Sequence, residues 1–86
     1  MELEFLFEEG HIYALGKANK ILAEITYHET GNDTIDIDHT FVDNSLRGQG
    51  VASDLVAMAV DAIQRQGKRV TASCSYAAKW LETHPH

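Results

Sequence analysis

Hydrophobic and polar residues alternate through most of the first half of the chain and then change period once. Glu4-Phe5-Leu6-Phe7-Glu8 reads as a short strand, Glu9-Gly10 as a turn, and His11 to Leu15 as its hairpin partner, closed by Gly16. From Ile21 to Tyr27 the residues Ile21, Ala23, Ile25 and Tyr27 share one face, with Glu24 and Thr26 on the other. The cluster Thr30-Gly31-Asn32-Asp33 predicts a turn. Alternation resumes from Thr34 to Val42, placing Ile35, Ile37, His39 and Phe41 on one face and Asp36, Asp38 and Thr40 on the other, towards solvent.

After Val42 the period becomes helical. Val51, Leu55, Met58/Ala59 and Ala62/Ile63 recur on one face, Val56 and Val60 widen it, and Gln66-Gly67 supplies the stop. Arg69 to Ser73 reads as a short strand and Ser75 to Thr83 as a short helix, ended before Pro85. Tyr76, Ala77, Trp80 and Leu81 are the expected inner face of that helix. The order is four antiparallel strands, helix, strand, helix. This predicts a single α/β (α+β) domain over residues 1–86, whose helical crossover suits a parallel last strand pair.

Composition bounds the function. A chain of 86 residues with 44% hydrophobic and 23% charged residues is ordinary for a folded protein. At this size only roughly 60–65% of the unfolded surface is buried on folding, so packing must be efficient or a ligand or second copy must help. The acidic start and the short apolar runs predict neither a secretory leader nor a membrane span, and hence a soluble cytoplasmic protein. One cysteine makes no intrachain disulfide, and the five histidines show no metal-ligand spacing. The net charge of −6 argues against nucleic acid. Ten of the thirteen carboxylates precede Arg47, beside only Lys17 and Lys20, so the first half would attract a cationic ligand.

The informative motif is the strand-to-helix junction Leu46-Arg47-Gly48-Gln49-Gly50-Val51-Ala52, preceded by the loop Asp43-Asn44-Ser45. Two glycines flank Gln49 at the helix mouth, and Gly50 offers no capping side chain. The first backbone amides are therefore open to an anion, phosphate above all. A tight strand-to-helix turn needing glycine only for its dihedrals is the plainer alternative. No Gly-Lys-Ser/Thr follows, which excludes a P-loop, and no third glycine completes a dinucleotide fingerprint, since that position is Ser53.

This junction, running from Val42 through Ala52 and followed by Leu55, resembles motif A of the GNAT superfamily of acyl-CoA-dependent N-acetyltransferases. That motif is written Q/R-x-x-G-x-G/A. Its glycine positions fall on Gly48 and Gly50, while its Q/R position is Ser45 here, with Arg47 matching the common Arg-Gly-x-Gly form. Together with Ile37-Asp38-His39-Thr40, Cys74-Ser75-Tyr76 and His84-Pro85, the chain is similar to the short "minimal", YidJ-like branch of that superfamily. The resemblance implies acetyl-CoA as donor, with its pantetheine arm between diverging fourth and fifth strands. Its pyrophosphate would rest on the amides of Leu46, Arg47, Gly48, Gln49, Gly50, Val51 and Ala52, and Phe41, Val42 and Ser75 would complete the coenzyme site. It also implies an acceptor side that is open or completed by another molecule, because Glu9-Gly10 leaves no room for the helices that larger members insert there.

Two side chains carry the expected chemistry. Cys74, between the last strand and the last helix, is a candidate nucleophile or general acid; a small buried hydrophobe is the alternative. His39 is a candidate general base, and equally a half-buried hydrogen-bonding residue. The reading is an N-acyltransferase, acting as monomer or weak homodimer, that moves acetyl from acetyl-CoA to an amine, with cationic amines preferred. A non-catalytic acyl-CoA binding or sensing module is the alternative, and a general anion-binding domain the third.

Overall fold

A computed structural model describes residues 3–84, so the expected helix stop at Pro85, and His86 after it, lie outside the described residues. Strands β1 (Phe5–Glu8), β2 (His11–Leu15), β3 (Ile21–Gly31) and β4 (Thr34–Val42) form an antiparallel meander. Helix α1 (Val51–Arg65) then carries the chain to β5 (Arg69–Ala72), parallel to β4, and helix α2 (Ser75–Thr83) follows. The sheet order is β1-β2-β3-β4-β5. The predicted elements and the parallel last pair are all present. The third strand extends four residues beyond its expected end at Tyr27, turning at Asn32 and Asp33, both of which adopt positive φ. Two successive left-handed residues give the two-residue hairpin whose twist matches its strands.

One apolar core lies between the sheet and both helices. Ile12, Ala23, Ile25, Ile35 and Ile37 project from the sheet onto Leu55, Val56, Ala59 and Ile63 of α1, and Ala77 of α2 joins the same cluster. Each large aliphatic side chain here contributes about 1.5–3 kcal/mol relative to exposure. α2 is tied to the first turn of α1 by the Trp80 indole N–H, which donates to Ser53 Oγ at 2.9 Å. Tyr76 departs from its expected inward position: it is 44% exposed, at the edge of a groove described below. None of the described helices is long and apolar enough to cross a membrane.

The decisive irregularity lies in β4. Thr26 of β3 pairs with His39 and the next residue, Tyr27, pairs with Ile37, so Asp38 is an extra residue without a partner. This β-bulge reverses the phase of everything after it. Ile35 and Ile37 face the core as predicted, but Thr40 and Val42, not His39 and Phe41, continue that side. His39 and Phe41 emerge on the other face of the sheet. Thr40, expected to be a solvent-facing residue, is half-buried.

Candidate functional site

The bulge coincides with the place where β4 and β5 part. Their pairing ends at Ile37 opposite Ala72, and the Ile37 carbonyl accepts both the Ser73 and the Cys74 amides at 3.1 Å. β4 runs on to Val42 without β5 beside it. In a strand already paired on one edge, every second residue then presents its N–H and C=O to the gap. The end of β5 is held by Asp36, whose carboxylate accepts hydrogen bonds from Thr71 Oγ1 at 2.8 Å and Ser73 Oγ at 2.6 Å. Desolvation pushes the Asp36 carboxyl up, but these hydroxyls and the Ser73 amide outweigh it and leave it below the usual range.

Above the gap, Asp43 shapes the loop into α1. Its carboxylate accepts the Ser45 amide at 3.0 Å and hydroxyl at 2.7 Å, starting one tight turn that buries Leu46. The chain then passes through Gly48 and Gly50, at φ +80° and +76°, a left-handed conformation that side chains with a Cβ resist. A Cβ at either position would meet nothing within 4 Å, so the space before both is open. Gly50 is the N-cap of α1, and no side chain caps the helix. Its first amides therefore face that space unsatisfied, at the positive end of the helix dipole.

The result is a groove of about 430 Å³ lined by Thr40, Val42, Leu46, Arg47, Gly48, Gly50, Val51, Ala52, Ser53 and Tyr76. Seven of the residues expected to hold a coenzyme therefore meet there. Phe41, Gln49 and Ser75 are not among those lining it. Phe41 faces the other side of the sheet, and the Gln49 amide folds back onto the Ser45 carbonyl at 3.4 Å. Thr40, Ser53 and Tyr76 line the groove without having been expected there from the sequence. Among the described residues Arg47 has no carboxylate partner, which leaves its guanidinium available at the rim.

Cys74 is the N-cap residue of α2 and is partly buried. Its Sγ lies 3.5 Å from Thr40 Oγ1, just behind the groove lining. Burial by itself pushes the thiol up. The Thr40 hydroxyl and the backbone amides of Ala77, Tyr76 and Thr40 together pull it below its ordinary value. His39 is not brought to this side. It lies on the open face of the sheet, 55% exposed, with Nε2 3.7 Å from Glu24 Oε2. The two candidate catalytic residues thus flank β4 from opposite sides. No three His, Cys, Asp or Glu side chains among the described residues converge on a metal site.

Known proteins share this fold. The fold superposes on a GCN5-like candidate N-acetyltransferase from Staphylococcus aureus with a TM-score of 0.78 and 40% identity, covering 94% of this chain and 79% of that one. It also superposes on the GNAT-family N-acetyltransferase YhbS of Escherichia coli, solved in complex with CoA. There the TM-score is 0.56 at 21% identity, over 67% of this chain and 35% of that one, a likeness of fold alone. Protein NATD1 of Xenopus tropicalis is 30% identical over 63 residues, which span 73% of this chain and 58% of that protein. Residues 11–86 match the family model described as GCN5-related N-acetyl-transferase, and the chain belongs to that family.

Proposed function

We propose that this chain is an acyl-CoA-dependent N-acetyltransferase that moves acetyl from acetyl-CoA to a cationic amine. In this reading residues 1–86 form one domain of the short, minimal, YidJ-like branch. The observation that carries it is the continuity of one groove from the glycine-flanked mouth of α1, past Val42, to Thr40, with Cys74 behind it. That shape fits a ligand with an anionic end and a long amide-bearing arm. The amides of Gly48 to Ala52 and the Arg47 guanidinium receive the pyrophosphate. The free edge of β4 offers backbone partners to the arm. The acidic first half and open sheet face support the amine class, and the lone free thiol supports a cytoplasmic setting.

At neutral pH an alkylamine is almost wholly protonated, only about one part in a thousand being neutral. The imidazole of His39 takes one proton from the ammonium on the open face. The freed nitrogen attacks the thioester carbon through the gap between β4 and β5, and the carbon–sulfur bond breaks. The Cys74 S–H, held by Thr40, gives its proton to the departing thiolate and regains one from the new amide nitrogen. The separation of His39 from Cys74 by the sheet favours direct transfer, and it is also what a non-catalytic acyl-CoA binding module would tolerate.

Mass spectrometry after mixing the protein with acetyl-CoA and no amine, beside kinetics of Cys74→Ala and His39→Ala, tests this. Direct transfer predicts no acetyl adduct on Cys74 and loss of rate in both variants. An adduct that an amine discharges would replace it with a covalent route. Tight CoA binding without turnover on any amine would leave the binding module.

A further inference from the structure

The open face of the sheet carries one arrangement that the groove does not use. On β3, Glu24 sits opposite Tyr13 of β2 on one side and Phe41 of β4 on the other, forming a single rung of aromatic, carboxylate and aromatic side chains. On the next rung, His11 and His39 flank Thr26 in the same way. Glu24 reaches towards both imidazoles, with Oε1 2.8 Å from His11 Nε2 and Oε2 3.7 Å from His39 Nε2. Its side chain is only 23% exposed. The His11 ring is stacked on Tyr13, with centroids 4.4 Å apart, which fixes one wall.

The charge here is not balanced by a permanent cation. β1, β2, β3 and β4 together contain no Lys or Arg. The half-buried Glu24 carboxylate has the two imidazoles of His11 and His39 beside it and no lysine or arginine in an ion pair with it. Strand spacing of about 4.8 Å places Tyr13 and Phe41 roughly 10 Å apart, with the carboxylate as floor between them. Two aromatic side chains and a carboxylate on one rung suit a primary ammonium on an alkyl stem: the charge meets the carboxylate, and the methylenes and charge meet the rings.

We infer that the acceptor docks on this open face as a primary alkylammonium, with Glu24 receiving its charge between Tyr13 and Phe41, beside His39. The inference rests on the N-acetyltransferase reading and names its acceptor site. Glu24 is a specificity-determining residue in this scheme. Its second oxygen lies 3.7 Å from His39 Nε2, which places the docked ammonium beside that ring. The plainer role, a polar tie across β2, β3 and β4, predicts no response to a small cation.

The test follows the His11, His39 and Phe41 ring resonances by NMR during titration with pentylammonium, using pentanol as the uncharged control of similar shape. Saturable shifts at His39 and Phe41 with pentylammonium alone, about tenfold weaker in Glu24→Gln, are expected. No saturable shift at tens of millimolar, or equal affinity in Glu24→Gln, overturns the inference. Should Glu24→Gln fail to fold, Phe41→Ala decides in its place, since loss of the ring must also weaken pentylammonium. CoA-induced stabilisation, read on the same samples, must survive both substitutions. Docking of pentylammonium with no acetyl transfer to it or to any other amine would defeat the transfer reading and leave the cation site standing. Transfer to pentylamine at an unchanged KM in Glu24→Gln would do the reverse.

Discussion

Gly50 and Gly67 are matched in backbone and opposite in place, which allows the cost of a methyl group to be separated from its effect on ligand. Both lie in the left-handed region, at φ +76° and +74°, and a Cβ on either meets nothing within 4 Å. Gly50 opens α1 at the groove, and Gly67 follows its far end. Alanine at either position should cost about 1–2 kcal/mol of strain, or roughly 4–16 °C in Tm for a domain of this size. The two apo proteins should therefore melt close together. Coenzyme A at about a hundred times its Kd adds roughly 2.7 kcal/mol to a protein that binds it, equivalent to roughly 10–20 °C. Gly67→Ala should retain that increment. Gly50→Ala should lose most of it, because the new methyl projects into the space before the α1 amides. Thermal denaturation of the three proteins with and without CoA is the assay. An equal CoA-induced shift in Gly50→Ala and Gly67→Ala would refute the placement of the pyrophosphate.

Thr40→Val removes the hydroxyl that faces Cys74 Sγ, so the midpoint of the pH profile for alkylation of Cys74 should move upward from its position below 9.0. An unmoved midpoint would assign the effect to the backbone amides of Ala77, Tyr76 and residue 40 alone. Asp36→Asn should destabilise by about 1 kcal/mol at pH 7, a figure already reduced for solvent screening. The folded carboxyl titrates below its unfolded value of 3.8, so its contribution is present above that pH and fades as pH falls through the folded value. Urea melts should accordingly show wild type and Asp36→Asn converging in acid, and a constant gap down to pH 2 would count against it. Leu55→Ala, at a side chain with no exposure, should cost about 2–5 kcal/mol and lower the urea midpoint without changing how CoA binds to whatever remains folded.

The element order, the turn positions and the glycine-flanked groove were legible because each rests on local chemistry. Period two and period 3.6 are visible over a few residues, and Gly48 and Gly50 mark a backbone that other residues resist. The orientation of β4 was not legible in the same way. Strict alternation puts His39 with Ile37, and only the run of three polar residues Asp38-His39-Thr40 hints that the phase breaks there. A bulge is decided by pairing with β3 and by the departure of β5, which are tertiary facts. The same error concealed Thr40 as the partner of Cys74. Ser53 was hidden for a related reason: its hydroxyl is defined by Trp80, 27 residues away. The tie among His11, Glu24 and His39 joins three strands and has no signature in any one of them.

Asp38 makes β4 a counting device. With the unpartnered residue present, the side chains before and after it obey opposite parity, and a single strand can serve two compartments that never share a surface. Deleting Asp38 would join Ile37 directly to His39 in plain alternation, with His39 still outward and Thr40 still inward beside Cys74. Keeping Asp38 but drawing it into the ladder opposite Thr26 would do the opposite: it would send the His39 imidazole inward against α1 and turn Thr40 out to water. The two faces therefore depend on the extra residue staying outside the pairing, and both Asp38→Ala and loss of Asp38 should leave Thr40 facing Cys74.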